Sequence, residues 1–544
     1  MDKRRLASCL DNNQQMVPRK TSSSARRAHC FDRNHSHSNC RVCLDLFGDV
    51  RRGWTYLRWT DQHLWHGTLA RKAPLEQGQS EQLSRGGKMI IRNFYDEKLA
   101  QASYLVGCAV TGEAIVIDPL RDIDQYLAMA TAQNLHITAV TETHIHADFL
   151  SGTRELSAAT GATMYLSDEG DNQWKYAFAD DPKAVLMKDG FKIEVGNLTL
   201  EAVHTPGHTP EHMSFLLVDH LASEVPHSFF TGDFIFIGDV GRPDLLERAA
   251  NFIGTMEKGA RVLFNSIKKI EHLPDSLLIW PAHGAGSACG KSLGGSPVSS
   301  LGYERRSNWA FQIHNEDKFV DEVLSGQPEP PYYFKEMKRL NKIGPTVLGH
   351  MPKVDRVTTA KGPLVDVRSA ETIRGNYYDK SLVIPSGKGL TNWAGWLLKY
   401  DEPVTLIADS RAQADQAARD MATIGLDVVT AWISPNDLDP SGFRPFQTTT
   451  CQVLDGTEMV LDVRGINEYK NVHLASSVHI PLGYLRDRLS ELPRDQKIVV
   501  HCASGGRSPI AVSILKQAGF ENVFEISGGI ADISLRCPTN VVTA

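Results

Sequence analysis

The chain lacks the long apolar run of a membrane helix: no stretch of about 18 apolar residues occurs, which excludes a transmembrane helix. Its N-terminal region has no apolar core for a secretory signal. Positive charge is also short. Lys and Arg number 58 against 64 Asp and Glu, a net charge of −6 that argues against nucleic acid as the main partner. Cysteine is sparse: nine residues form no dense framework, and none falls between Leu301 and Thr450. That usage excludes a disulfide scaffold and suits a reducing cytosol. Cys40 and Cys43, near His35 and His37, make half a zinc knuckle, but no second pair follows at finger spacing. Gly290-Lys291-Ser292 suggests a nucleotide loop, yet Ala285 stands where such a loop needs its first glycine, so that reading is rejected.

What is present is ordinary in bulk. Hydrophobic residues make up 42% and charged residues 22% of 544 positions, as in globular proteins, and a prior of ~150 residues per domain suggests three or four domains. Residues 1–88 stand apart. They carry 16 Lys/Arg and 8 Asp/Glu, a balance of +8 that leaves −6 − 8 = −14 for the remainder, and they lack helical or strand periodicity. The expectation is a disordered or non-native leader, with the folded chain opening at Met89.

Chemistry concentrates first in Thr141-Glu142-Thr143-His144-Ile145-His146-Ala147-Asp148-Phe149. It follows the apolar run Ile137 to Val140, so it reads as a strand ending in a metal-binding loop. Alternation at a strand end points His144 and His146 the same way, toward one centre. Three further motifs each follow a strand-like run: His208 in Thr205-Pro206-Gly207-His208-Thr209, Asp233 in Phe230-Thr231-Gly232-Asp233, and His283 in Pro281-Ala282-His283-Gly284.

In order and spacing these motifs resemble the metallo-β-lactamase superfamily over about Met89 to Leu340, which implies an αββα sandwich. Two-metal hydrolases of that superfamily place a histidine where this chain has Phe149. A phenyl ring has no lone pair, so one metal is expected. The persulfide dioxygenases look most similar: they share the His-x-His-Ala-Asp loop, the Gly232-Asp233-Phe234 and Gly241-Arg242-Pro243-Asp244 segments, and a single iron. The resemblance implies one Fe(II) held by residues matching His144, His208 and Asp233, a facial triad with positions open for O₂ and a persulfide. His146, Asp148 and His283 would stand behind these, orienting ligands or solvent. Arg242 is a candidate substrate contact, and Cys289, beside His283 in sequence, a candidate sulfur relay. Zinc is the competing metal, and a glyoxalase II-like thioester hydrolase the competing enzyme.

A second chemistry lies near the C-terminus. In Ile498-Val499-Val500-His501-Cys502-Ala503-Ser504-Gly505-Gly506-Arg507-Ser508 an apolar strand meets a cysteine-started loop, followed by an amphipathic helix expected over 509–518. Two glycines let the loop turn its N–H groups inward, and a helix N-terminus and Arg507 add positive charge. Such a nest favours a thiolate able to carry a persulfide. The loop resembles the active site of rhodanese sulfurtransferases. Four residues separate Cys502 from Arg507, whereas cysteine phosphatases use five, so sulfur is preferred to phosphate.

The pattern is duplicated. Pro363 to Glu371 matches Glu458 to Glu468, and Val404 to Ile407 matches Ile498 to His501, but Ala408 or Asp409 stands where Cys502 does. The first copy resembles a degenerate rhodanese module: a spacer, docking face or interface. The expected architecture is α/β throughout: a leader (1–88), a metallo-β-lactamase-like sandwich (89–340), and two rhodanese-like doubly wound domains, one inert (355–445) and one active (446–544). Residues 341–361, scattered with Gly, Pro and Lys, are the expected linker. The reading is a cytoplasmic sulfide-detoxifying enzyme acting on a low-molecular-weight persulfide, such as that of glutathione or coenzyme A, with O₂ and sulfite as partners. A homo-oligomer is compatible with it. A sulfur-relay protein using Cys502 alone is the non-enzyme alternative.

Overall fold

The computed structural model describes residues 89–248, 254–526 and 528–543. The leader, including Cys40 and Cys43, lies outside them. Two six-stranded sheets come first. One runs in chain order through Met89–Asp96, Gln101–Cys108, Glu113–Ile117, His136–Thr141, Thr163–Ser167 and Ala184–Met187. The other runs from Lys192–Val195 through Leu198–His204, Met213–Asp219, Ser228–Gly232 and Leu278–Pro281 to Ser299–Ser300. Their inner faces share a core that includes Tyr104, Ile117, Leu200, Phe215 and Phe230. Strand alternation sends the other residues outward, where helices cover them. Tyr126 and Leu156, from Asp124–Ala132 and Thr153–Thr160, pack with Leu105, Val116 and Val140 of the first sheet. Leu263, Phe264 and Phe319, from Thr255–Lys269 and Glu316–Leu324, pack with Phe229 and Ile279 of the second. The result is an αββα sandwich.

The duplication appears as two five-stranded parallel sheets of the same order. In the first, Asp355–Arg356, Val429–Ile433, Val404–Ile407, Leu364–Asp366 and Ser381–Val383 lie side by side; in the second, Thr448–Thr449, Val523–Ile526, Ile498–His501, Met459–Asp462 and Ser477–His479. Near-continuous apolar strands fit sheets buried on both faces. Asp366 pairs across to Ile407 and Asp462 to His501, so Ala408 occupies the position of Cys502. A buried ion pair recurs too: Arg368 with Asp366 and Arg464 with Asp462, each at 2.6 Å.

Three local expectations need correction. The helix after the cysteine loop is Ser508–Gln517, and residues 508–515 are all buried, so it is not amphipathic. Its second face packs on the first copy, where the Val383 N–H donates to Ser513 Oγ at 3.0 Å. The linker does not begin at Asn341, which sits within helix Tyr333–Ile343 and is 1% exposed. Finally, Cys451 and Cys537 form a disulfide, while Cys108, Cys289 and Cys502 are free. One bridge is thus present where the sequence suggested a reducing setting. No helix among the described residues is long and apolar enough to cross a membrane.

A candidate metal centre and a cysteine loop

Parallel strands Glu113–Ile117 and His136–Thr141 end together, and the metal loop is fastened where they stop. Asp118 does the fastening. Its Oδ1 accepts from the Thr143 N–H at 2.6 Å and its Oδ2 from Thr143 Oγ1 at 2.9 Å. The same Oδ1 stands 3.0 Å from His146 Nε2. Asn341 holds the far end of the loop: its Nδ2 donates to the carbonyls of His146 and Phe149, each at 2.8 Å, and its Oδ1 accepts from the Ser151 N–H at 2.9 Å.

His144, His208 and Asp233 converge. Their nearest ligand atoms all lie within 4.8 Å of one another, and all three residues are buried. His144 Nδ1 is 3.0 Å from Thr143 Oγ1, and His208 Nδ1 is 3.0 Å from the Arg242 carbonyl, which leaves each Nε2 for the centre. His208 Nε2 stands 3.4 Å from Asp233 Oδ2. Close packing of the Asp233 and His208 loops requires Gly241, since a Cβ there would lie 1.8 Å from the Asp233 carbonyl oxygen. Burial, reinforced by neighbouring imidazoles, holds His144 well below the usual histidine value, and burial also lowers His208. Both are therefore neutral donors. Neither Asp233 carboxylate oxygen has a hydrogen-bond partner. The buried carboxylate thus faces His208 Nε2 at 3.4 Å and His283 Nε2 at 3.3 Å without a hydrogen bond to either oxygen, and two imidazoles with a carboxylate make a donor set that fits a divalent metal.

The remaining candidates divide. His146 turns to Asp118; burial opposes its charge, but Asp118, with Asp148 and Glu142, raises the imidazole to about 9. Asp148 and His283 instead lie beside the centre, with His283 Nε2 at 3.2 Å from Asp148 Oδ2 and 3.3 Å from Asp233 Oδ1. Cys289 joins these two as a second cluster within 4.8 Å. Burial pushes its thiol well above the usual cysteine value. Phe149 is buried, with its ring 4.3 Å from that of His146.

Arg242 is placed otherwise than expected. It is fully buried and forked onto Asp244, with Nε–Oδ1 at 2.7 Å and Nη2–Oδ2 at 2.8 Å, while Nη1 donates to the Ala288 carbonyl. Its guanidinium is thus taken up by protein partners, and its backbone carbonyl lies 3.0 Å from His208 Nδ1. Sequence reasoning missed Asp118, Asn341 and His212, whose Nε2 accepts from the Asp233 N–H at 3.0 Å. Only Asp118 carried a signal, as a polar residue closing the run Ala114 to Ile117.

In the second site the Gly505 N–H donates to Cys502 Sγ at 3.1 Å, and Ser508 Oγ lies 3.4 Å from that sulfur. Arg507 is not free to face the sulfur alone, because Nη1 and Nη2 fork onto Glu468 at 2.5 and 2.7 Å. Glu468 was not anticipated as its partner. One cavity of about 650 Å³ has Asp148 and Ala285–Ala288 on one wall, Trp393 and Trp396 of the first copy on another, and Gly465 and Arg507 on a third. Residues beside each site, Asp148 and Arg507, therefore line the same space.

Known proteins share these parts. The family model described as metallo-beta-lactamase superfamily matches residues 97–283, and that described as rhodanese-like domain matches residues 451–535. The human mitochondrial persulfide dioxygenase ETHE1 is 30% identical over 218 residues, 40% of this chain and 74% of that protein. A hydroxyacylglutathione hydrolase of Polaromonas is 33% identical over 186 residues, 33% of this chain and 61% of that protein. A crystal structure of a metallo-beta-lactamase from Staphylococcus aureus is 43% identical with a TM-score of 0.61, covering 64% of this chain and 99% of that one. The chain belongs to the metallo-beta-lactamase superfamily. Within that family its relatives include persulfide dioxygenases, and it closes with a rhodanese-like domain.

Proposed function

We propose that the chain oxidises a low-molecular-weight thiol persulfide to sulfite and free thiol at one iron, and that Cys502 carries sulfane sulfur to sulfite to give thiosulfate. The first reaction balances as RSSH + O₂ + H₂O → RSH + sulfite + two protons: the outer sulfur gives four electrons to O₂, and water supplies the third oxygen. In the second, the Cys502 thiolate takes the outer sulfur of another RSSH and RSH leaves; sulfite then bonds that sulfur, the Cys502 S–S bond breaks, and the electron pair returns to Cys502. The observation that carries the reading is the convergence of His144, His208 and an Asp233 carboxylate whose oxygens have no hydrogen-bond partner, with Phe149 where the family's hydrolases place a further ligand.

His144, His208 and Asp233 would hold the iron, which supplies the redox chemistry between oxygen and sulfur. Asp118 and Asn341 keep the loop in place, and the Arg242 carbonyl fixes the ring of His208. Buried Phe149 packs on His146 and buried Phe236 on His283, with ring centroids 4.3 and 5.9 Å apart, which gives the centre apolar neighbours. A cavity lined by both Asp148 and Arg507 supports a short path for sulfite from one site to the other. Glutathione and coenzyme A persulfides are the candidate substrates, and the domains are taken to divide near 340–355 and 445.

The rival reading is a zinc thioester hydrolase. It draws on the hydroxyacylglutathione hydrolase relatives and on Asp148, His283 and Cys289 as a second donor cluster. Metal content with O₂ uptake separates the two: one iron and persulfide-dependent uptake supports the dioxygenase, two zinc ions with thioester cleavage the hydrolase.

A further inference from the structure

Arg374 belongs to helix Ala370–Gly375 of the cysteine-less copy, yet its guanidinium reaches the other copy. Nε and Nη2 donate to Glu525 Oε2 and Oε1 at 2.7 and 2.8 Å, and Nη2 also donates to the Gly505 carbonyl. Both acceptors are one step from the reactive sulfur. The Gly505 N–H points at Cys502 Sγ, and Glu525 Oε1 accepts from Ser508 Oγ at 2.6 Å, the hydroxyl that lies beside Sγ. Gly505 has a φ of +88°, and a Cβ there would come 2.9 Å from Arg374 Nη2, so the contact needs glycine on both counts.

Glu525 makes the arginine necessary. It is only 3% exposed, and an unpaired carboxylate there would oppose negative charge on a Cys502 thiolate or persulfide. Arg507 cannot supply the missing cation, being engaged with Glu468. Among the described residues of the C-terminal repeat no cation pairs with Glu525, which finds its partner across the boundary between copies.

We propose that Arg374 is a positioning residue for the Cys502 loop, so that the inert copy completes the sulfurtransferase site of its neighbour. Its guanidinium neutralises Glu525 and fixes the Gly505 peptide, whose N–H then faces the sulfur. The proposal rests on the reading of Cys502 as the sulfur carrier.

The test uses the full-length, metal-loaded protein and three readouts: thiosulfate sulfurtransfer, the rate of Cys502 alkylation by iodoacetamide at neutral pH, and persulfide-dependent O₂ uptake. Arg374→Gln should lower sulfurtransfer kcat and the alkylation rate about tenfold each, the scale of one lost charged hydrogen bond, with O₂ uptake unchanged. Adding Glu525→Gln should restore most of the alkylation rate, because no unpaired carboxylate then remains; a purely structural role for Arg374 predicts no such rescue. An alkylation rate in Arg374→Gln equal to the parent's would overturn the proposal, as would O₂ uptake falling in step, or a double variant no faster than the single one. Alkylation depends on no assigned activity. A Cys502→Ser protein that kept full sulfurtransfer would therefore refute the carrier role separately.

Discussion

His208 Nε2 and Asp233 Oδ2 stand 3.4 Å apart at the ends of different loops of one sheet, and the carboxylate has no hydrogen-bond donor. Ligand atoms at that separation, from groups that would otherwise repay burial poorly, are positioned for an ion between them. His208→Ala or Asp233→Ala should therefore lose bound iron and sulfite formation together. Iron per chain, measured beside O₂ uptake, checks this. Retention of iron with lost activity would point to a role in chemistry alone.

The two reactions should separate by mutation. Cys502→Ser is expected to abolish thiosulfate sulfurtransfer and leave O₂ consumption largely intact, since every candidate iron ligand lies before residue 284. Asp409→Ala, in the copy whose matching position is Ala408, should change neither rate. Parallel assays on the two variants decide it, and equal loss of both activities in a folded Cys502→Ser protein would show the sites to be interdependent.

Asn341 offers a test of the loop itself. Its side chain binds the carbonyls of His146 and Phe149 and the N–H of Ser151 in a buried setting. Asn341→Ala strands these groups and should cost about 1–3 kcal/mol of stability. Iron affinity should fall with it. Thermal unfolding and metal content in the same sample would show whether the two losses track each other.

How much of this was open to sequence reading varies by residue. The convergence of His144, His208 and Asp233 was legible because each follows an apolar strand run, and strand ends of the two sheets meet there. The repeat was legible from Asp366-Val367-Arg368 against Asp462-Val463-Arg464, whose buried ion pairs superimpose the two sheets. Asn341 was not, because a polar residue near Gly344 and Pro345 looks like a linker until its helix is seen packed under the metal loop. Arg242 misled for the opposite reason: an arginine in a metal-site motif suggests substrate, but Asp244, two residues on, takes its fork. Arg374 with Glu525, 151 positions apart, left no local trace.

Glu211 predicts a pH effect. Burial raises its carboxyl to about 7, although it accepts from the Ile145 N–H at 2.8 Å. A carboxyl raised above its unfolded value contributes stability that is fully present below that value and is lost as pH rises through about 7, here on the order of 3 kcal/mol. The parent should thus lose stability between about pH 4.5 and pH 7, and Glu211→Gln, which carries no charge, should lose less. Unfolding midpoints at the two pH values check this; equal slopes would contradict it.

The metal and what it does separate a dioxygenase from a hydrolase. Protein purified without oxygen should contain about one iron per chain, since Phe149 removes the histidine of a second site. Given glutathione persulfide, that protein should consume O₂ and form sulfite. Two zinc ions per chain, with thioester hydrolysis and no oxygen uptake, would contradict it.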